Sequence, residues 1–242
     1  MNVLREAAST LHPPAGDRHG PLAPMLVALT FLTGVVDAVS YLMLGHVFVA
    51  NMTGNVVFIG FALAGASGLS APASLAALAS FLLGAMLGGR VGALVPEHRG
   101  RLLRGAGAAQ SVALIAALIV SLAVSGPLTG GVRYALLVPL ALGMGVQNAA
   151  AQRLAVPELT TTVLTRTLTG LASEGTALGG HGAQLGRRAV AVTAMLLGAV
   201  AGGLLALEVS VAAALGVACA IVVSVTLAVQ MLSRVEAAWT RA

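Results

Sequence analysis

The hydrophobic positions of this chain fall into long unbroken runs, not into the alternating or three-to-four spacings of a soluble core. The apolar segments cover residues 23–44, 46–66, 72–93, 106–125, 132–153, 156–174, 188–207 and 210–232. The stretch 189–233 is too long for one crossing and divides at Glu208, its only charged residue. A bilayer core of about 30 Å takes about 20 apolar residues of helix, so eight segments are candidates to enter the membrane. Two of them are interrupted. The stretch HVFVANMTGNVVFIG, residues 46–60, is apolar at both ends but carries Asn51, Thr53, Gly54 and Asn55 in its middle. Segment 156–174 carries Thr160, Thr161, Thr162, Thr165, Arg166, Thr167 and Thr169. Polar or non-helical backbone is tolerated at membrane depth only where it is buried in protein or lines a wet cavity.

The arginines decide how these segments are threaded, because short cytoplasmic loops collect basic residues. If all eight segments cross, either choice of orientation leaves a cluster of arginines outside. If 46–66 and 156–174 instead enter and return on the same side, with the N-terminus inside, eleven arginines fall on the cytoplasmic side. Only Arg133 is then outside, and Arg166 lies within the second re-entrant segment. This threading predicts an all-α membrane protein with six transmembrane helices plus two re-entrant or broken helical segments. Both termini are expected in the cytoplasm of a bacterial inner-membrane protein. Residues 1–22, broken by Pro13, Pro14 and Gly16, read as a disordered tail, and residues 234–242 as a second short one. The apolar run after residue 22 is long enough to span, so it reads as a retained helix and not as a cleaved leader.

The chain also repeats itself. LLGAMLGG at residues 82–89 recurs as LLGAVAGG at 196–203, and GVVDA at 34–38 recurs as GVQNA at 145–149. MTGN at 52–55 parallels LTRT at 164–167. The offsets are 114, 111 and 112 residues. The membrane domain is therefore expected in two halves, 23–125 and 132–233. Three crossings per half turn the second copy upside down, so the halves are expected as an internal inverted repeat, an arrangement that places transporter sites at the bilayer midplane. The tips, residues 51–55 and 160–167, would then meet near the centre from opposite faces.

These features supply the candidate residues. Asp37 is the only acid deep inside a spanning segment, a position that calls for a partner or a cavity. It is either a functional group or a structural acceptor for the MTGN tip. Asn51, Thr53 and Asn55 either contact a solute or cap the broken helix. Gln147 and Asn148 stand where the first copy has Val36 and Asp37. Thr165, Arg166 and Thr167 belong to the second tip, and Arg166 would pair with Asp37, Glu158 or Glu174. Gly84, Gly88, Gly198 and Gly202 form two small-xxx-small spacings suited to close helix packing.

Asp37, the MTGN element and the Thr-rich second copy together resemble the YoaK family of bacterial membrane proteins, over roughly residues 25–232. MTGN is the specific part of that likeness. The family has no defined function, so the resemblance implies a fold type and little chemistry. It also implies Gly at the position of Arg166, where this chain departs by adding a charge.

Composition agrees with the patterning: 58% of the 242 residues are hydrophobic and 9% are charged, against about a quarter charged in soluble domains. The net charge of +5 is spread over loops, which argues against nucleic-acid binding. A single cysteine, Cys219, excludes an internal disulfide and offers no thiolate metal set. GASG at 65–68 matches the G-x-S-G of intramembrane serine proteases, with His181 as a conceivable base, but 30 glycines make such a match weakly specific. The expected role is a transporter or channel for a small polar solute, with proton coupling through Asp37 left open. The alternative is a non-transporting membrane scaffold or assembly protein; a serine hydrolase is a remote third reading. The bilayer and the solute are the expected partners, self-association is open, and no cofactor is expected.

Overall fold

The computed structural model describes residues 3–14, 16–95, 98–124, 126–162, 164–173, 184–234 and 237–241, without the side chains of residues 164, 166, 171 and 173. Its helices are α1 (Val3–Leu11), α2 (Leu22–Met43), α3 (Met52–Leu63), α4 (Ala71–Leu94), α5 (Arg99–Ala123), α6 (Gly130–Leu154), α7 (Leu164–Ser173), α8 (Leu185–Leu204) and α9 (Val211–Leu232). Helix α8 runs on as a π-turn over Leu205–Val209. Six of these elements, α2, α4, α5, α6, α8 with its π-turn, and α9, are long and apolar enough to cross a bilayer. Helices α3 and α7 have 12 and 10 residues, half the length that a crossing needs. The long apolar run divides at Ser210, two residues beyond Glu208, where the backbone turns extended and the Ser210 hydroxyl accepts the N–H of Ala213 to start α9.

The bundle is built on two close parallel helix pairs, α2 with α8 and α4 with α6. A Cβ on Gly34 would collide with Met195 O and Ala199 N, and one on Gly198 with Phe31 O. On Gly202 it would stand 2.6 Å from Val35 Cα. The second pair repeats these contacts with the halves exchanged. Gly145 meets Phe81 O and Ala85 N, Gly84 meets Leu142 O, and Gly88 would place a Cβ 2.9 Å from Val146 O. Each residue in one set lies 111 or 114 positions from its counterpart in the other. Only glycine lets two helix backbones approach this closely, and the gain is dispersion contact over the whole seam. The outward faces of α4 and α8 keep Leu82, Leu83, Leu196 and Leu197 exposed.

Arginines tie the helix ends together at one end of the bundle. Arg99 Nη1 donates to Arg18 O at 3.2 Å and its Nη2 to Leu154 O at 2.5 Å, and Arg153 Nη1 reaches Gly89 O at 3.2 Å. The start of α2 thus meets the end of α6, and the two run antiparallel. Arg133, on the first turn of α6, lies against Gly45 beyond the other end of α2. Because α4 parallels α6 and α8 parallels α2, residues 44–70 leave and rejoin the bundle at the Arg133 end. Helix α6 ends and α8 begins at the opposite end, the one that holds Arg18, Arg99 and Arg153.

One expectation is corrected. Residues 3–14 are not a disordered tail: α1 packs on the first turn of α8, where Glu6 Oε2 accepts the N–H of Gly186 at 3.1 Å. Asp17 then accepts the N–H groups of His19 (2.7 Å) and Gly20 (2.9 Å) at the entry to α2. The positions that α1 buries are Glu6 and Thr10, so a hydrophobicity pattern gives no sign of its docking. Toward the other terminus, Trp239 packs over Gly20 and Gly100.

The glycine seams give a direct test. Gly88→Leu and Gly202→Leu should each cost at least about 1–3 kcal/mol, as overpacking of a tight contact does. Gly89→Leu should be nearly neutral, because nothing lies within 4 Å of a Cβ there. Thermal unfolding in detergent reads the difference, and equal melting temperatures for the three variants would show that the seams do not hold the bundle.

Candidate functional site

The interrupted segments become two short helices preceded by irregular backbone, and the problem at each is the same. N–H groups that leave the helical ladder in an apolar environment need acceptors. In the first half Asp37 supplies one. Its Oδ1 accepts the N–H groups of Val49 (3.0 Å) and Ala50 (2.9 Å). Asn55, buried in the first turn of α3, supplies the second clamp. Its Oδ1 accepts the N–H of Phe48 at 2.9 Å and its Nδ2 donates to Phe48 O at 2.6 Å. Rings lock the approach: Tyr41 stacks on Phe48 at 5.0 Å and Phe48 on Phe58 at 5.7 Å. Gly54 is required beneath them, since a Cβ would stand 2.7 Å from the Phe48 ring.

The second half does not copy this clamp. Asn148, at the position of Asp37, donates Nδ2 to Thr162 Oγ1 at 2.7 Å and accepts from Gln152 at 3.4 Å. The first tip is thus held through its backbone N–H groups and the second through a pair of side chains. Thr161, at the position of Ala50, is buried with a φ of 65°, a left-handed conformation unusual for a β-branched residue.

Between the tips lies a cavity of about 430 Å³. The first half contributes Asn51 and Thr53, together with Ala50, Met52 and Gly54; the second contributes Asn148, Gln152, Thr162 and Thr165. Phe81 and Met195, equivalent residues 114 apart near the middles of α4 and α8, complete the wall. The described side chains that line it are amides, hydroxyls and apolar groups, with no ionised group among them. Asn51 occupies the N-cap position of α3 but makes no capping bond with its side chain. Of its two expected roles, then, the side chain is placed for the cavity, while Asp37 and Asn55 satisfy the backbone.

The expected site residues thus separate by position. Asn51, Thr53, Asn148 and Thr165 share the cavity. Asp37 and Asn55 stand behind the first tip with their polar atoms engaged. Gln147 belongs to a buried relay in the helix core: its Oε1 accepts from Gln110 at 2.6 Å and its Nε2 donates to Thr33 Oγ1 at 3.0 Å. Thr167 is buried away from this cavity. The Arg166 side chain lies outside the described residues, as do Glu174 and His181, so the expected Asp37–Arg166 pair has no geometry here. Glu158, another expected partner of Arg166, is paired with Arg188 at 3.1 Å. Ser67 of the GASG stretch sits exposed in the turn between α3 and α4.

Sequence reasoning did not single out Gln152, Phe81 or Met195. Gln152 follows Asn148 by four residues and so shares its helix face. Phe81 and Met195 each precede the repeated LLGA element by one residue, which marked them as a pair without indicating that they face a cavity.

Six long apolar helices define a multi-pass all-α membrane protein. The chain belongs to the family described as protein of unknown function DUF1275, whose model matches residues 25–228. It is 32% identical over 148 residues to the UPF0700 transmembrane protein YoaK of Bacillus subtilis (strain 168), which covers 61% of this chain and 64% of that relative. The chain thus aligns with somewhat less than two thirds of that curated protein's length. No solved structure matches.

The clamp on the first tip can be tested by substitution. Asp37→Ala leaves two buried N–H groups without their acceptor and should cost about 2–5 kcal/mol. Asp37→Asn keeps an acceptor oxygen and should lose clearly less. Melting curves of the two variants in detergent decide it; equal losses would mean that the carboxylate does not brace the tip.

Proposed function

We propose that this protein is a transporter or channel for a small, uncharged polar solute, bound in the cavity between the two tips. The observation that carries this reading is the cavity's double origin. Both halves supply it with amide and hydroxyl groups at repeat-equivalent positions, Asn51 with Thr162 and Thr53 with Thr165. A volume of about 430 Å³ lies within the range of small-molecule sites. Asn51, Thr53, Gln152 and Thr165 are exposed along the cavity wall, so a polar solute can reach the groups that would bind it. Asp37 is not part of the cavity wall, so the reading does not depend on proton coupling.

The same reading makes segments 46–66 and 156–174 re-entrant, entering from opposite faces of an inverted repeat with both termini in the cytoplasm. The arginine partition supports that orientation, and so do the shared bundle ends at which each segment begins and finishes. Single cysteines at Ser67 and Gly100, labelled with an impermeant reagent, should be accessible from the periplasm and the cytoplasm respectively. Labelling of both from one side would break the threading.

Transport itself is tested in proteoliposomes with a panel of small polyols, neutral amino acids and amides. At least one should enter faster than in protein-free liposomes, and Thr53→Leu and Thr165→Leu, both at exposed positions of the wall, should each slow that entry about tenfold or more while leaving the melting temperature unchanged. A tenfold change corresponds to about 1.4 kcal/mol, the scale of one lost hydrogen bond. If no panel member passes, or if both variants carry solute at the wild-type rate, the cavity is not a transport site.

A further inference from the structure

A second cavity, of about 550 Å³, lies on the other side of the second tip. Thr160 and Thr167 line it, with Glu158, Gln184 and the turn at residues 155–157. Thr162 and Thr165 line the first cavity. The hydroxyls therefore divide between two chambers, and Thr161 is the residue between them. The second chamber borders the end of α6 and the start of α8, at the arginine-rich end of the bundle.

Thr161 is held in an unfavourable state. Its φ is 65°, and its hydroxyl is buried without a hydrogen-bond partner among the described residues. Each feature costs free energy and persists only where the surroundings impose it. An ion pair restrains the same loop three residues earlier. Arg188, on the first turn of α8, donates Nη2 to Glu158 Oε1 at 3.1 Å, and its Nε lies 3.1 Å from Oε2. The same guanidinium packs against Gly170 of α7, where any Cβ would collide with it. One side chain thus ties both the loop 155–162 and α7 to α8.

Building on the transport reading, we propose that the two cavities are successive chambers of one solute path, that Thr161 is the barrier between them, and that the Glu158–Arg188 ion pair is the latch that holds the barrier closed. Release of the latch frees the loop, lets Thr161 leave its strained conformation and brings its hydroxyl to the solute. The first tip has no such freedom, because Asp37 and Asn55 hold it from behind. Both chambers offer hydroxyls and an amide, so one polar solute suits both.

The test is chemical access across the tip, which needs no knowledge of the solute. With Cys219→Ala as background, Thr160→Cys and Thr162→Cys are each exposed to an impermeant cationic methanethiosulfonate from the arginine-rich face in sealed vesicles of defined orientation. Thr160→Cys should react at least tenfold faster than Thr162→Cys. Breaking the latch should raise the Thr162→Cys rate at least tenfold and leave Thr160→Cys unchanged. Two variants break it: Glu158→Asn, which suits the φ of 64° at that position, and Arg188→Gln; each is used where gel filtration shows folded protein. Equal rates at the two cysteines before the latch is broken would remove the barrier, and a Thr162→Cys rate that neither variant changes would remove the latch. Uptake of the solute panel is scored separately: its failure alongside the expected labelling pattern would count against transport alone.

Discussion

The structure depends on two seams where helix backbones touch without side chains between them. Gly34, Gly198 and Gly202 bring α2 onto α8; Gly145, Gly84 and Gly88 bring α6 onto α4. In an apolar solvent there is little hydrophobic gain in pairing apolar helices, so association relies on close dispersion contact and on small residues that permit it. Each pair joins one half of the chain to the other, so neither half can form its seam alone. The carbonyls of Phe81 and Met195 meet Gly145 and Gly34 in these seams, and the side chains of the same two residues wall the central cavity. The packing contact and the cavity are therefore set by the same residues, and a shift in either seam moves the wall.

Within that frame the two tips solve one physical problem in different ways. The first uses a carboxylate and a buried amide to satisfy backbone that has left the helix, and adds a stack of rings over Gly54. The second keeps an amide–hydroxyl bond between Asn148 and Thr162 and distributes Thr160, Thr162, Thr165 and Thr167 over the two cavities. On the latch proposed above, the first half would be the element that is held and the second the element that is released.

Much of the frame was legible in the chain. Segment lengths gave the six long helices, and the glycine spacings named residues that lie in the seams, though not their partners, since a small-xxx-small pattern says that something approaches and not what. Asp37 was legible as a buried acid in need of a partner. That its partners are the N–H groups of Val49 and Ala50 was one of two readings, because backbone donors leave no mark in a sequence. The clamp by Asn55 and the buried relay from Gln110 through Gln147 to Thr33 were hidden for a related reason: an amide has the same letter whether it holds backbone, core or solute. Helix α1 was missed because its buried face is polar, and the Arg188–Glu158 pair because its members are thirty residues apart and neither repeats in the first half.

The divergence between the copies also bears on recognition. A strictly symmetric chamber would present the same groups from both sides and would suit a solute with matching symmetry. Here two of the equivalent wall pairs have come to differ, Asn51 with Thr162 and Phe81 with Met195, while Thr53 and Thr165 remain alike. An amide both donates and accepts in a fixed plane, whereas a hydroxyl rotates to suit its partner. A flat ring offers a face, whereas a thioether adapts to the shape beside it. Both halves supply amides, Asn51 from the first and Asn148 and Gln152 from the second, and both supply a thioether, Met52 and Met195. The two walls therefore differ in where these groups stand and not in kind, and on the transport reading proposed above a solute between them would meet an asymmetric surface built from one repeated set of chemistries.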